Sequence, residues 1–255
     1  MKKSLVLIVP TVLIALLAAC GGGDGGEEPA APAPATSAPA DPGLLGTVNG
    51  KVSLGGDAPA ADTIQMAADP SCDRLHSSDV MTEFFVVGDD GGLANAFVYL
   101  KSGLAYTYPV PSESALIDQT GCVYVPHVLG IQVGQTLEIR NSDETLHNIH
   151  AMPKNNKEFN IGQPVQGLTT KKVFDNPEVM VPFKCDVHKW MNSYAGVLDH
   201  PFFAVTGPDG SFSLEGVPAG NYVVEAWHER LGTKEMNVTV IAEGSAEANF
   251  AFTAE

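Results

Sequence analysis

Basic residues are scarce in this chain. Its 255 residues include 14 Lys and Arg against 30 Asp and Glu, a formal net charge of −16, which disfavours nucleic acid and anionic lipid surfaces as ligands. Helical patterning is also lacking: beyond the N-terminus no stretch keeps an apolar period of 3.6 residues, which argues against a helical bundle. Short alternating runs broken by Gly, Pro, Asp and Asn recur instead, and they predict an all-β sandwich architecture. Cysteine is limited to four residues, and no Cys-x-x-Cys-His occurs, which argues against a haem. From Gly21 to about Pro42 large apolar side chains are almost absent, so this stretch cannot bury a core and reads as a tether of Gly, Ala, Pro, Ser and Glu.

The residues that carry chemistry lie toward the middle. Cys185-Asp-Val-His188-Lys-Trp-Met191 offers a thiol, an imidazole and a thioether within seven residues, and His147-Asn148 adds a second imidazole from upstream. Soft cysteine sulfur favours Cu(I), imidazole suits both copper oxidation states, and a weak axial methionine lets the site sit between their preferred geometries. The seven-residue stretch reads as a tight turn between a strand at Val179–Phe183 and one at Ala195–Leu198. His147 follows Thr136-Leu-Glu-Ile-Arg, where Leu137 and Ile139 alternate with Glu138 and Arg140 as a half-buried strand does.

With these ligands in this order the chain resembles the cupredoxin family, in which one histidine precedes an asparagine and the others run Cys-x-x-His-x-x-Met near the last strand. Tyr124-Val-Pro126 through Val133-Gly134 is similar to the strand and turn feeding the first ligand loop, and the resemblance covers roughly residues 113 to 199. It implies a Greek-key β-sandwich holding one type 1 copper ion. His147, Cys185 and His188 would be the strong ligands, Met191 the weak axial one, and Asn148 the residue tying the two ligand loops together. It further implies single-electron transfer through the edge of His188, with Trp190 beside it either in an apolar docking patch or as buried packing. The alternative is a copper-binding or interaction module whose site is non-redox or vestigial. An enzyme is not expected, because a copper oxidase or reductase needs another metal centre with an open position. Paired His-x-His elements are missing, and His147 and His150 are three apart, which places them on opposite faces of a strand. His200 and His228 could complete a second centre only across a domain interface.

A second resemblance lies in Asp209-Gly210-Ser-Phe212-Ser-Leu214 through Pro218-Ala-Gly220-Asn-Tyr222-Val-Val224-Glu-Ala226, which looks like a carboxypeptidase regulatory-like, or transthyretin-like, β-sandwich. The stretch reads as a hairpin with Phe212, Leu214, Tyr222, Val224 and Ala226 facing inward and Pro218 and Gly220 turning the chain. Only about 56 residues follow residue 200, too few for a sandwich of roughly 100. Gly46–Leu54 and Leu93–Leu100 resemble the opening strands of the same module. The expected organisation is a leader at 1–20, a linker at 21–44, a first part of the regulatory-like sandwich at 45–105, the copper domain at 106–199 and a second part at 200–255. In this arrangement the copper domain is inserted in a loop, where insertions are tolerated if the ends lie close together. The tandem alternative makes the early residues an extension of the copper domain.

The N-terminus reads as a targeting segment: Lys2 and Lys3, an apolar run from Leu5 to Leu17, then Ala18-Ala19-Cys20 and a glycine string. It resembles the lipobox of bacterial lipoproteins, which implies a lipidated Cys20, a lipid anchor and a place in the bacterial cell envelope, at the outer membrane facing periplasm or cell surface; the alternative is an ordinary signal peptide or a short membrane anchor. Loss of Lys2 and Lys3 with the leader takes the net charge to −18, and such an acidic head would be steered toward a basic redox protein such as a c-type cytochrome or a periplasmic oxidoreductase. With Cys20 assigned to lipid and Cys185 to copper, Cys72 and Cys122 are left to pair in an oxidising compartment. The competing reading is two free or metal-binding thiols, with His76 and His127 following them at short range.

Overall fold

The computed structural model describes residues 44–254, together with a two-residue strand at Thr36–Ser37. The leader, Cys20 and the rest of the linker up to residue 43 lie outside the described residues. The protein is nearly all β. Helix is limited, among the described residues, to short turns such as Met66–Ala68 and Pro70–Asp73.

Two sheets enclose the core nearest the metal-ligand motif. One runs Phe159–Gln163, His147–Ala151, Glu178–Lys184, Asn192–Leu198 and Val128–Gln132 in spatial order, the last pair parallel and the others antiparallel. The other runs Thr169–Lys172, Leu137–Asn141, Ala115–Thr120 and Val123–Val125, with a parallel pair at its centre. Facing each other, they form a cupredoxin-like β-sandwich around Ile117, Tyr124, Ile131, Leu137, Ile139, Ile149, Val181, Phe183 and Val197. The alternation expected at residues 136–140 appears as the strand Leu137–Asn141, with Leu137 and Ile139 fully buried and Glu138 and Arg140 half-buried.

A second pair of sheets is built from both ends of the described chain. Leu45–Gly55 pairs antiparallel with Ser211–Pro218 on one side and parallel with Ser245–Glu247 and Phe250–Thr253 on the other. Phe97–Ser102 lies between Phe203–Val205 and Gly220–His228, and Gly232–Val240 completes that sheet. Their shared core holds Val48, Val52, Val98, Leu100, Phe212, Leu214, Val224, Val238, Phe250 and Phe252.

The expected hairpin at 209–226 is corrected here. Ser211–Pro218 and Gly220–His228 are not hydrogen-bonded neighbours; they belong to opposite sheets, and Pro218-Ala219-Gly220 arches across the core between them. Two strands facing each other across a sandwich show the same inward alternation as two neighbours in one sheet. The arch is fixed by the Tyr222 hydroxyl, which donates to Pro218 O at 2.7 Å, and by Ala219 N–H, which donates to Leu44 O at 2.9 Å.

Between the two sandwiches lies a smaller cluster of Phe97, Tyr99, Val128 and Leu198 with Phe203 and Trp227 against it. Gly130 and Gly196 are register partners in the parallel pair of the first sandwich. A Cβ on Gly196 would stand 2.3 Å from the Phe97 ring, and one on Gly130 would stand 2.2 Å from the Phe203 ring. Close approach of these rings therefore requires bare backbone. Gly196→Val is expected to lose about 1–3 kcal/mol through overpacking, seen as an earlier urea midpoint. An unchanged midpoint would show that Phe97 moves aside without cost.

Candidate metal centre

Strand register brings the candidate ligand residues together. Glu178–Lys184 pairs antiparallel with His147–Ala151 through Lys184 opposite His150, so continuing that register sets His147 level with the turn that starts at Cys185. The turn is closed by Cys185 N–H donating to Met191 O at 3.1 Å and Met191 N–H donating to His188 O at 2.9 Å. His147, Cys185, His188 and Met191 are all buried, at 0, 1, 2 and 1% exposure.

Donor atoms converge. The Nδ1 atoms of His147 and His188 lie 3.0 Å apart, and Cys185 Sγ lies 3.8 Å from His188 Nδ1. One ligand atom from each of the three residues falls within 4.8 Å of the others. Met191 joins Cys185 in the same core cluster. A buried set of two imidazoles, one thiol and one thioether fits copper by its chemistry: sulfur suits Cu(I) and imidazole suits both states.

Surrounding groups orient these donors. His188 N–H donates to Cys185 Sγ at 3.2 Å. Asn148 Oδ1 accepts from Asp186 N–H at 2.7 Å and Val187 N–H at 3.3 Å, and it lies 3.3 Å from Cys185 Sγ, so Asn148 fastens the Cys185 turn to the His147 strand. Nε2 of His147 meets Asp143 Oδ2 at 2.9 Å, and Nε2 of His188 meets Asp69 Oδ2 at 3.0 Å. Each ring thus turns its second nitrogen to a carboxylate and its Nδ1 inward, the arrangement that fixes tautomer and orientation in metal-binding histidines.

The electrostatics favour the thiolate at Cys185 and the protonated ring at His147. Burial acts against the Cys185 thiolate, but the His147 ring and neighbouring backbone N–H groups outweigh it and hold the thiol below its ordinary range. Burial likewise opposes a charged His147, yet Asp143 and Cys185 raise it above the usual imidazole value. Asp143 is lowered despite its burial by His147 and by the Cys122 and Gly121 N–H groups, which donate to it at 2.8 Å each.

Cys72 and Cys122 form a disulfide, with Cα atoms 5.6 Å apart, and among the described residues Cys185 is the free cysteine and is buried. Of the histidines following that pair, His76 Nε2 contacts Gly121 O at 2.8 Å and His127 Nε2 contacts Glu229 Oε1 at 2.5 Å. Trp190 is half-buried rather than displayed on the surface. Its ring lies 5.1 Å from that of His188, and its indole N–H donates to Cys122 O at 2.9 Å. The His188 edge is covered, because Asp69 and Cys72 sit over its Nε2, with Cys72 Sγ at 3.5 Å.

His150 points away from the centre to Glu158 and Asp186. His200 and His228 are buried in the other sandwich, where burial lowers His228 to about 4, and among the described residues neither joins a converging group of metal donors. Asp69 and Asp143 were missed by sequence reasoning. Asp143 had a weak signal, standing four residues before His147 in the same loop; Asp69, 119 residues before His188, had none.

No protein-family model matches the chain, and no curated protein matches it. Among solved structures, a copper-containing nitrite reductase from Thermus scotoductus SA-01 is similar to 40% of this chain at 20% identity with a TM-score of 0.32, and the match covers only 26% of that reductase. A purple cupredoxin from Nitrosopumilus maritimus matches 32% of this chain and 98% of its own at 26% identity and a TM-score of 0.29. A Cu(I) amicyanin mutant matches 39% of this chain and 97% of its own at 17% identity and a TM-score of 0.30.

Proposed function

We propose that the chain is a type 1 copper protein that passes single electrons between redox partners. The observation that carries this reading is the convergence of buried His147, Cys185 and His188 donors, with Met191 buried beside them. Copper would supply a one-electron couple at this position. The protein's part is to hold two Nδ1 atoms and Sγ in one arrangement for both oxidation states, to exclude water, and to tune the potential through the N–H that reaches Cys185 Sγ.

Location and partners follow from the sequence. The leader and Cys20 support a lipid-anchored protein of the bacterial envelope, and the acidic surface suits a basic donor or acceptor such as a c-type cytochrome or a periplasmic oxidoreductase. We read the second sandwich as a regulatory-like module into which the copper domain is inserted, a reading supported by the pairing of Leu45–Gly55 with strands beyond residue 210.

Met191→Gln tests the axial assignment. It is expected to retain copper while shifting the reduction potential, since a weak axial ligand tunes the couple more than it holds the ion. A redox titration that superimposes on the unsubstituted protein would remove Met191 from the ligand set. A second reading, a copper-holding module without electron traffic, draws on the coverage of His188. Repeated reduction and reoxidation with the metal retained separates the two: a carrier cycles, and a holder does not.

A further inference from the structure

The covering of His188 comes from outside the region that resembles a copper domain. It is the segment Gln65–Asp73, which carries Asp69 and is fastened to the copper-side sandwich by the Cys72–Cys122 disulfide. Asp69 is itself fixed, because its Oδ1 accepts from Ser71 N–H at 2.8 Å while its Oδ2 meets His188 Nε2 at 3.0 Å. Cys72 Sγ lies 3.5 Å from the same nitrogen, and Trp190 packs against the ring while its indole N–H holds Cys122 O. Cys122 also donates its N–H to Asp143, the carboxylate on His147. One disulfide therefore anchors the surroundings of both imidazoles.

We propose that Asp69 is a positioning residue for the metal centre: its carboxylate accepts the Nε2 proton of His188, locks the ring with its Nδ1 lone pair facing the His147 and Cys185 donors, and lowers the reduction potential. This rests on the copper reading given above. The argument is one of ring chemistry. A neutral imidazole carries one N–H, and only when Nε2 bears it does Nδ1 have a free lone pair for a metal. A carboxylate accepting that proton selects this tautomer and makes the ring a more basic donor. A more basic donor, backed by a nearby negative charge, favours the more positive oxidation state of the ion.

Two substitutions test the two halves. In metal-free full-length protein, nitrogen NMR of the His188 ring is expected to show a single Nε2–H tautomer, which gives way to a mixture in Asp69→Ala; a single Nε2–H tautomer persisting in Asp69→Ala overturns the positioning role. In copper-loaded protein, Asp69→Asn removes the charge while keeping the shape. At a fixed poise it is expected to raise the reduced-to-oxidised ratio about tenfold, equal to about 59 mV for a one-electron couple. An unchanged ratio overturns the electronic role. Asp69→Glu, which restores the charge, is expected to return the ratio toward that of the unsubstituted protein, and failure to do so with Asp69→Asn shifted would assign the shift to altered packing instead. If the unsubstituted protein shows no thiolate-to-copper absorption, the type 1 reading fails, while the NMR measurement still decides whether Asp69 sets the ring.

Discussion

Replacing Cys185 by serine is expected to abolish the intense visible absorption of the Cu(II)-loaded protein and leave the weak spectrum of ordinary tetragonal copper. The absorption arises from a sulfur-to-copper electron shift that needs a deprotonated thiol. Here the thiol is held below its ordinary range by His147 and by the backbone N–H groups around it, despite burial. A serine hydroxyl in the same place remains protonated and offers a hard oxygen, which would suit Cu(I) poorly beside two imidazoles. The change is nearly isosteric, and the turn is held independently by the Cys185 N–H to Met191 O bond, so the fold should survive. Circular dichroism and the visible spectrum recorded on one sample check both points. An unchanged visible band in Cys185→Ser would refute the ligand assignment.

Removing the disulfide should have the largest effect on stability. Cys72 and Cys122 stand 50 residues apart, and closing a loop of that size stabilises the folded state by about 4 kcal/mol in the loop-entropy treatment. The double substitution Cys72→Ala and Cys122→Ala should therefore lower the melting temperature by roughly 8–16 °C for a protein of this length. Its local consequence is distinct. The segment bearing Asp69 loses its covalent attachment, so backbone amides of residues 65–76 should exchange with solvent faster than those of the Glu178–Lys184 strand. Equal melting temperatures would mean that the noncovalent contacts of Met66, Ile64 and Trp190 in that small cluster suffice to hold the segment.

Much of the candidate site was legible because its residues are close in sequence. Three of the four proposed ligands sit within one turn, and the strand that leads to His147 alternates cleanly at Leu137 and Ile139. What stayed hidden was long-range. Nothing near Asp69 marks it as a partner of His188, since the contact depends on how a disulfide-held segment folds over a distant turn. The burial of His188 escaped notice for the same reason: the ligand motif specifies the inward nitrogen, while the outward one meets whatever the rest of the chain lays upon it. The arch at Pro218–Gly220 was read as a hairpin because apolar alternation reports which face a residue takes and not which strand lies beside it. Pairing of Leu45–Gly55 with strands near the C-terminal end was suggested by incomplete strand content after residue 200, an argument from number that the strand register now accompanies.

The central claim is that four buried side chains hold one copper ion in a thiolate-dominated site, and titration of the purified protein with Cu(II), followed by visible absorption and electron-spin resonance, tests it most directly. The account predicts saturation at one copper per chain, an intense visible band, a narrow copper hyperfine splitting, and reversible bleaching on reduction. A colourless product with the wide splitting of tetragonal copper would contradict it, leaving a cupredoxin-like fold that binds the metal without the chemistry its donors imply.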